Sequence, residues 1–297
     1  MGTIVPSKRL ANGAEIPLLG FGTWRIPPGL ETERAVTDAL EAGYRLIDTA
    51  QEYGNEESVG RAIGRGRIPR DEIFVTTKYL GASPSGLRRS FDESCRRLGG
   101  YVDLFLLHWP IAVAVVPLLW REMEKVAASG RCRAIGISNA KLRHLAAIRL
   151  HGIQPAVNQL KVSAFTYNRQ LSGYCQRRGM AVQAYCPLAH GRKLYDPRLL
   201  RMSEEIGKTP AQILIRWALQ QDFIVLPKSV HRDRIRQNLE VFDFQLTPAQ
   251  LQEMDGWKSA LWSPFPPGSL SSFSSKVLTG RDGIVTPAYG ETPGPRR

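Results

Sequence analysis

The chain has 297 residues, a formal net charge of +13 and 43% hydrophobic residues. That apolar content is enough for a sizeable core and excludes a wholly disordered chain. The basic residues, most of them arginine, are scattered singly or in pairs among acidic ones, without a long basic run. We therefore predict a solvated, arginine-rich surface and no nucleic-acid partner.

The cysteines and the apolar segments predict where in the cell the protein is located. The 4 cysteines lack the spacing of a zinc site or a disulfide framework, so we predict no metal and a reducing environment. No apolar segment has the form of a signal peptide, and none is long enough to span a membrane. The expectation is a cytoplasmic protein with no membrane partner.

Short apolar runs alternate with amphipathic segments along most of the chain. Near the N-terminus Asn12-Gly13 separates two short runs, and this dipeptide favours the tight turn of a β-hairpin. Eight later runs are predicted strands: 18–22, 44–48, 73–77, 102–107, 134–137, 156–160, 181–185 and 223–227. Segments between them, such as 31–43, 84–99 and 209–220, repeat apolar residues at helical spacing.

Eight strand-and-helix units predict an α/β fold of the (β/α)8 type, a TIM barrel, preceded by the short hairpin. The predicted strands are continuous apolar runs, as in a parallel sheet covered by helices. An open doubly wound sheet is the competing topology, but no Gly-x-Gly-x-x-Gly loop follows the first strand. We expect one catalytic and cofactor-binding domain at 1–256 and an irregular Ser-, Pro- and Gly-rich tail at 257–297.

Polar side chains follow nearly every predicted strand. In chain order they are Asp48, Lys78, His108-Trp109, Ser138-Asn139, Gln159, Tyr185 and Lys228-Ser229. Taken singly, an aspartate after a strand is usually a helix cap, and a lone lysine is usually a surface residue. Because the carboxyl ends of barrel strands converge on one mouth, their joint placement predicts a functional site there.

Several blocks of sequence resemble the aldo-keto reductase superfamily. They lie in the family's order and cover about residues 8–256: LGFGTW (19–24), GYRLIDTAQEYGNEESVGRAI (43–63), TTK (76–78), LLHWP (106–110), AIGISN (134–139), AVNQ (156–159), AYCPL (184–188) and LPKSVHRDRIRQNLEVFDF (226–244). The resemblance implies a β/α barrel that reduces aldehydes or ketones with NADPH. It also implies that the enzyme needs no metal or flavin and acts on a small carbonyl substrate as a monomer.

The resemblance implies a catalytic tetrad of Asp48, Tyr53, Lys78 and His108, and all four residue types are present. Hydride reduction of a carbonyl leaves an alkoxide that needs a proton, and a free tyrosine, with a pKa of about 10, donates slowly at neutral pH. We expect Lys78 to stabilise the phenolate by its charge and Asp48 to hold that ammonium in place. His108 would hydrogen-bond the carbonyl oxygen and orient the substrate.

The coenzyme contacts follow from the same resemblance. It assigns Ser138, Asn139 and Gln159 to the nicotinamide carboxamide and Tyr185 to the nicotinamide ring. Other assigned positions line the mouth (Gly22, Thr23, Trp24 and Asp48), the pyrophosphate loop (Cys186 and Leu188, continuing through His190 to Lys193) and the adenosine site (Lys228, Ser229, Val230, Arg234, Gln237 and Asn238). Two cations, Lys228 and Arg234, predict NADPH over NADH, because a 2′-phosphate gains charge-assisted hydrogen bonds that a ribose hydroxyl cannot match.

The substrate is less well defined by the sequence. The resemblance makes Trp24 and Trp109, together with Tyr53 and His108, walls of the substrate pocket. Lys161-Val162-Ser163 replaces the Glu-Leu-His-Pro of many relatives, and the tail after residue 257 differs from the family's usual closing segment. The sequence therefore leaves the identity of the carbonyl compound open.

Two other classes of function remain as alternatives. One is a cofactor-binding regulatory or structural protein on the same barrel, which the intact tetrad argues against. The other is a different barrel enzyme, such as a phosphate-binding isomerase or a metal hydrolase. The missing metal-ligand cluster and the long block at 226–244 argue against that alternative.

Overall fold

The computed structural model describes residues 5–110, 112–149 and 152–257. The predicted tail lies outside the described residues except for Trp257, which is buried and stacked on Phe165 with ring centroids 5.5 Å apart. The strands in this part of the chain are β1 (Ser7–Arg9), β2 (Glu15–Pro17), β3 (Phe21–Gly22), β4 (Leu46–Asp48), β5 (Phe74–Tyr79), β6 (Val102–Leu107), β7 (Cys132–Ser138), β8 (Val157–Lys161), β9 (Ala181–Tyr185) and β10 (Ile224–Leu226).

Helices follow most of the strands. They are α1 (Leu30–Ala42), α2 (Glu56–Arg65), α3 (Pro84–Arg97), α4 (Val116–Ala128), α5 (Leu142–Arg149), α6 (Arg169–Arg177), α7 (Pro197–Ile206), α8 (Pro210–Gln220), α9 (Arg232–Gln237) and α10 (Pro248–Asp255). Local sequence sets their ends. Thr209 caps α8 through a reciprocal pair of hydrogen bonds with Gln212, and Gly43 closes α1 in the left-handed conformation (φ 119°).

The strands β3 to β10 form one parallel sheet in sequential order, and its two edges meet. The backbone N–H of Gly20 donates to the carbonyl of Val225 (2.9 Å), and that of Gly22 donates to the carbonyl of Pro227 (2.9 Å). These bonds join β3 to β10 and close the sheet into a barrel. The predicted (β/α)8 barrel is therefore confirmed.

The predicted N-terminal hairpin is also confirmed. Strands β1 and β2 pair antiparallel, with Lys8 opposite Ile16. The side chain of Asn12, at the turn, donates to the carbonyl of Arg133 near the start of β7 (2.7 Å). The hairpin is thus attached at the amino ends of the barrel strands, opposite the mouth where their carboxyl ends meet.

The predicted strand positions agree with the structure, and most differ from it only at their ends. The runs predicted at 102–107 and 181–185 coincide with β6 and β9. The first barrel strand, predicted at 18–22, is shorter, because only Phe21 and Gly22 pair with β4. Leu19 takes part through a single bridge to Val225.

Two apolar clusters lie on the two faces of the barrel sheet. One fills the lower interior with Leu46, Phe74 and Leu104 from the strands and Leu10 and Ile16 from the hairpin region. The larger cluster joins the outer face of the sheet to the helices. The lower interior is therefore filled with apolar side chains, and polar side chains are concentrated above them, at the mouth.

A buried carboxylate fixes α2, the helix that follows Tyr53. Glu56 is 1% exposed and accepts hydrogen bonds from Thr77 in β5 (2.6 Å) and from Ser94 in α3 (2.8 Å). Its second oxygen pairs with Arg97 (3.1 Å). These bonds hold α2 against both the barrel wall and α3, which limits the positions open to the loop before it.

The packing of α2 on α3 predicts opposite effects for two glycines of the same helix. A Cβ on Gly60 would lie 1.7 Å from the carbonyl oxygen of Arg97, whereas a Cβ on Gly64 would meet nothing within 4 Å. Gly60→Ala should lower the free energy of unfolding by about 1–3 kcal/mol through overpacking. Gly64→Ala should raise it by up to about 1 kcal/mol, because alanine favours helix. Urea denaturation of both variants checks this, and equal stabilities would contradict the close approach.

Candidate active site

Four predicted residues meet at the mouth of the barrel. Asp48 ends β4, Lys78 lies in β5, and His108 directly follows β6, while Tyr53 ends the short 3-10 turn Gln51–Tyr53. Strand register brings β4 and β5 side by side, so two of these side chains start from adjacent strands. The close spacing follows from the barrel, because the carboxyl ends of its strands converge.

The ammonium group of Lys78 is at the centre of this group. Its Nζ atom donates to Asp48 Oδ1 (2.7 Å), to the carbonyl of Thr49 (2.8 Å) and to the hydroxyl of Tyr53 (3.2 Å). The side chain of Lys78 is fully buried, and an ammonium has three donors, so all of them are used. The ring of His108 packs edge-on against Tyr53, with centroids 5.7 Å apart.

Burial and ion pairing shift the pKa values of Asp48 and Lys78 in opposite directions. Burial raises the pKa of the Asp48 carboxyl, and the charge of Lys78 and hydrogen bonds from Lys78 and Gln159 lower it again. Burial lowers the pKa of the Lys78 ammonium, and the charge of Asp48 counteracts that shift. The ion pair therefore keeps both groups charged in a place where either one alone would tend to become neutral.

Tyr53 holds its proton tightly. Burial raises the pKa of its phenol well above the ordinary value, and the negative charge of Asp48 raises it further, with a smaller contribution from the half-buried Glu52. The prediction from the sequence is that the charge of Lys78 stabilises the phenolate. In the structure Asp48 offsets that charge at 2.7 Å, so burial dominates and Tyr53 remains protonated.

His108 is neutral at physiological pH. Its pKa lies well below the ordinary value, because burial disfavours the charged ring and the nearby Lys78 repels a second positive charge. Its Nδ1 atom has no hydrogen-bond partner among the described residues. A neutral imidazole offers one N–H donor and one acceptor, so His108 can bind an oxygen atom without acting as a strong acid.

Asn55 fixes the loop that carries Tyr53. Its fully buried side chain donates to the carbonyls of Thr23 and Ile26 (both 3.0 Å) and accepts from the hydroxyl of Thr49 (2.8 Å). The hydroxyl of Thr23 also donates to the carbonyl of Asp48 (3.0 Å). The loops after β3 and β4 are therefore joined by buried hydrogen bonds beneath the mouth.

The amides and hydroxyls predicted to bind the carboxamide form a second group beside the tetrad. The amide of Asn139 donates to Ser138 Oγ (2.9 Å) and to the carbonyl of His108 (3.2 Å), and its oxygen accepts from the hydroxyl of Tyr185 (2.8 Å). Gln159 Nε2 donates to Asp48 Oδ2 (2.7 Å). The structure thus links this group to the tetrad through Asp48.

Aromatic side chains line the rim. Trp24 is 39% exposed and lies against His190 with ring centroids 5.5 Å apart. The guanidinium of Arg25 lies 4.4 Å from the Trp24 ring centre. Trp109 is half-buried next to His108. Trp24 thus joins the loop after β3 to the loop after β9 across one side of the mouth.

Unusual backbone conformations concentrate at this end of the barrel. Non-glycine residues with left-handed φ in the described ranges are Arg25, Asn139, Cys186, Ala189, His190 and Asp222. All but Asp222 lie in loops that follow barrel strands at the mouth. Such conformations cost about 1–3 kcal/mol each and commonly mark functional sites.

Positive charge surrounds the loop after β9. Lys161 at the end of β8, Arg25 and Arg192 each lower the pKa of His190, which after the larger effect of burial is about 4. Lys161 itself has a pKa lowered to about 8, chiefly by burial, and its charge lowers that of the half-buried Cys186. We call Arg25, Lys161 and Arg192 the rim cations, because their charges act on His190 in the predicted pyrophosphate loop. Leu188 of the same loop is half-buried.

The predicted adenosine residues lie after β10 and in α9. Lys228, Arg234 and Gln237 are exposed, and neither of the two cations makes a hydrogen bond or an ion pair with another described residue. Ser229 is buried and accepts from the backbone N–H of His231 (3.1 Å). The other predicted members are more enclosed: Val230 is half-buried, and Asn238 is 4% exposed.

Four residues that the sequence analysis did not assign belong to the same region. They are Asn55, Glu52, Lys161 and Gln183. A signal existed for Gln183, because it is a lone amide in the apolar run AVQAY. Asn55 could have been noticed as a polar residue just after the 3-10 turn, but only the fold shows that it is buried.

No group of three or more His, Cys, Asp or Glu side chains in the described ranges is placed to hold a metal ion. None of the helices described is both long enough and apolar enough to cross a membrane.

Comparison with known proteins agrees with the geometry. The chain is 42% identical over 247 residues to an aldo-keto reductase of Mycolicibacterium smegmatis, covering 82% of this chain and 90% of that protein. It is 41% identical to the methylglyoxal reductase DkgA of Yersinia pestis, covering 84% and 91%. The crystal structure of an aldo/keto reductase from Brucella melitensis superposes with a TM-score of 0.81 at 38% identity, covering 84% and 98%.

The family assignment rests on these similarities together with a sequence model of the family. The model for the aldo/keto reductase family matches residues 18–258, which include all of the barrel strands from the bridge at Leu19 onward. The resemblance found in the sequence is therefore confirmed, and this chain belongs to the aldo/keto reductase family.

Proposed function

We propose that this protein is an NADPH-dependent reductase of aldehydes or ketones, with Tyr53 as the proton donor. The observation that carries the proposal is the buried Lys78 ammonium, which is hydrogen-bonded to both Asp48 and Tyr53. Membership of the aldo/keto reductase family supports carbonyl reduction. The name of the Yersinia relative, a methylglyoxal reductase, supports small carbonyl compounds as the substrate class.

The chain's charges fit an anionic coenzyme. A dinucleotide carries a diphosphate, and NADPH carries a further phosphate on its adenosine ribose. The rim cations Arg25, Lys161 and Arg192 suit the diphosphate, and Lys228 with Arg234 suits the 2′-phosphate. Ser138, Asn139, Gln159 and Tyr185 would hold the nicotinamide end, with Gly22, Thr23 and Trp24 at the mouth. NADPH supplies the hydride when it is bound.

The tetrad residues divide the proton chemistry between them. The N–H of neutral His108 binds the carbonyl oxygen and orients it towards Tyr53. The Tyr53 hydroxyl gives its proton to this oxygen as negative charge develops there, because an alkoxide is a stronger base than a phenolate. Lys78 stabilises the phenolate left on Tyr53, and Asp48 keeps Lys78 charged. Tyr53 regains a proton from solvent before the next turnover.

Several parts of the assignment rest on the sequence alone. The cytoplasmic location, the monomeric state and the lack of a nucleic-acid partner remain predictions. The division into a domain at 1–256 and a tail at 257–297 also remains a proposal.

The role of Tyr53 can be tested by removing one hydroxyl. Tyr53→Phe should keep the fold and the affinity for NADPH, while carbonyl reduction falls by about 10²–10⁴-fold, as expected when a positioned acid is lost. Lys78→Met should resemble it, and Asp48→Asn should be milder, because a hydrogen bond to Lys78 can survive. Coenzyme titration and steady-state turnover of purified variants measure both effects.

A matched control is Tyr101→Phe, which removes a phenol that bonds to the carbonyl of Arg70 (3.2 Å) away from the mouth. This variant should keep wild-type turnover. If Tyr53→Phe also kept it, Tyr53 would not be the proton donor and the mechanism would be wrong.

The preference for NADPH over NADH can be tested at the two exposed cations beyond β10. A charge-assisted hydrogen bond contributes about 1.5–3 kcal/mol, so replacing Lys228 and Arg234 with Gln should narrow the ratio of the two dissociation constants by at least about tenfold. Arg236→Gln, in the same helix, serves as the control and should leave the ratio unchanged. Equal binding of NADH and NADPH by the wild type would show that this clamp is misassigned.

The pKa of Lys161 predicts how coenzyme affinity depends on pH. A lysine is charged below its pKa, so Lys161 loses its positive charge as the pH rises through about 8. Its neighbours Cys186, with a pKa of about 11, and His190, with a pKa of about 4, do not titrate in this range. NADPH should therefore bind more weakly at about pH 9 than at about pH 7, and Lys161→Met should abolish most of that difference. Calorimetric titration at both pH values measures the difference in NADPH affinity. If Lys161→Met showed the same difference as the wild type, Lys161 would be excluded from the coenzyme site.

A further inference from the structure

Two glutamines lie side by side inside the barrel, below the tetrad. Gln159 in β8 is directly opposite Gln183 in β9 in the strand register. Both are buried, Gln159 at 2% exposed and Gln183 at 0%. Because alternate residues of a barrel strand face the interior, both amides belong to the same inner layer.

Hydrogen bonds determine which way the Gln159 amide faces. Its Nε2 atom lies 2.7 Å from Asp48 Oδ2 and 2.7 Å from Gln183 Oε1. An ionised carboxylate only accepts hydrogen bonds, so the NH2 group of Gln159 must face Asp48, and its second N–H goes to Gln183. The Oε1 atom of Gln159 is then the only group of this amide that remains available to a ligand.

Gln183 keeps an unpaired polar group in the barrel interior. Its Oε1 accepts from Gln159, but its Nε2 has no hydrogen-bond partner among the residues the structure describes. A buried donor without a partner lowers stability, and an apolar side chain of the same shape would avoid that loss. An apolar side chain would in turn leave the second N–H of Gln159 without its acceptor, so the amide at this position serves the Gln159 amide.

We propose that Gln183 is a positioning residue for the coenzyme. It holds the Gln159 amide with Oε1 as the acceptor for the amino group of the nicotinamide carboxamide. The inference rests on the proposed function, since it assigns Gln183 a part in binding the nicotinamide end. Without Gln183 only the bond to Asp48 holds the amide, so Oε1 is less firmly directed at the ligand.

The test compares two ligands that differ only at the nicotinamide end. NADPH carries the carboxamide, whereas 2′-phospho-ADP-ribose retains the phosphates and adenosine but lacks nicotinamide. Gln183→Met should weaken NADPH binding by about 2–10-fold, the effect of one hydrogen bond, and leave 2′-phospho-ADP-ribose unchanged. Hydride transfer in a single turnover should slow. The melting temperature should stay about equal, because the unpaired N–H of Gln183 is removed while one N–H of Gln159 loses its acceptor. Gln183→Leu repeats the test if Gln183→Met does not fold.

A double variant separates positioning from packing. If Gln183 acts through Gln159, the variant Gln159→Met/Gln183→Met should bind NADPH no more weakly than Gln159→Met alone. Asn158→Leu is the matched control. Asn158 is a buried amide in β8, next to Gln159, and its side chain donates to the carbonyl of Ala140 (3.3 Å). Asn158→Leu should lower the affinity for NADPH and for 2′-phospho-ADP-ribose equally, or change neither affinity.

The outcomes separate this assignment from the proposed function. An equal loss of affinity for both ligands in Gln183→Met, or additive losses of NADPH affinity in the double variant, would overturn the positioning role. An unchanged affinity and rate in Gln183→Met would do so as well, while leaving the reductase proposal intact. A wild-type chain that bound neither ligand would overturn both.

Discussion

The buried ammonium of Lys78 is the interaction on which the mouth of the barrel depends. Removing such a charge from water costs several kcal/mol unless good partners replace the lost hydration, and its three acceptors come from Asp48, Thr49 and Tyr53. These acceptors lie at the end of β4 and in the loop after it, so one charge fixes both. The adjacent pairing of β4 with β5 makes this geometry possible.

The interior of the barrel is divided by polarity along its axis. Apolar side chains fill the part near the hairpin, and hydrogen-bonded polar side chains fill the part near the mouth. A chain of hydrogen bonds runs from Gln183 through Gln159, Asp48 and Lys78 to Tyr53. A change at one end of this chain can therefore affect the proton of Tyr53 at the other.

Much of the fold and the position of the site could be predicted from the sequence, because both depend on strand order. Continuous apolar runs identified the barrel strands, and the polar residues that end them identified Asp48, Lys78 and His108. Gln183 was missed because it lies within a strand, and only the register shows that it faces Gln159. The effects of burial and of the Asp48 charge on the pKa of Tyr53 could not be predicted from the sequence, since both depend on packing.

The exposure of Trp24 has an optical consequence. Among the described residues it is the exposed indole, and the half-buried Trp109 is the other indole at the mouth, whereas Trp120, Trp217 and Trp257 are buried in the packing between barrel and helices. An indole in contact with water emits at longer wavelength than one in an apolar core. Among these tryptophans, the red side of the emission therefore comes from residues that border the active site, and the blue side from residues that register the integrity of the fold. A single emission spectrum can thus follow occupancy of the mouth and unfolding of the barrel as separate signals.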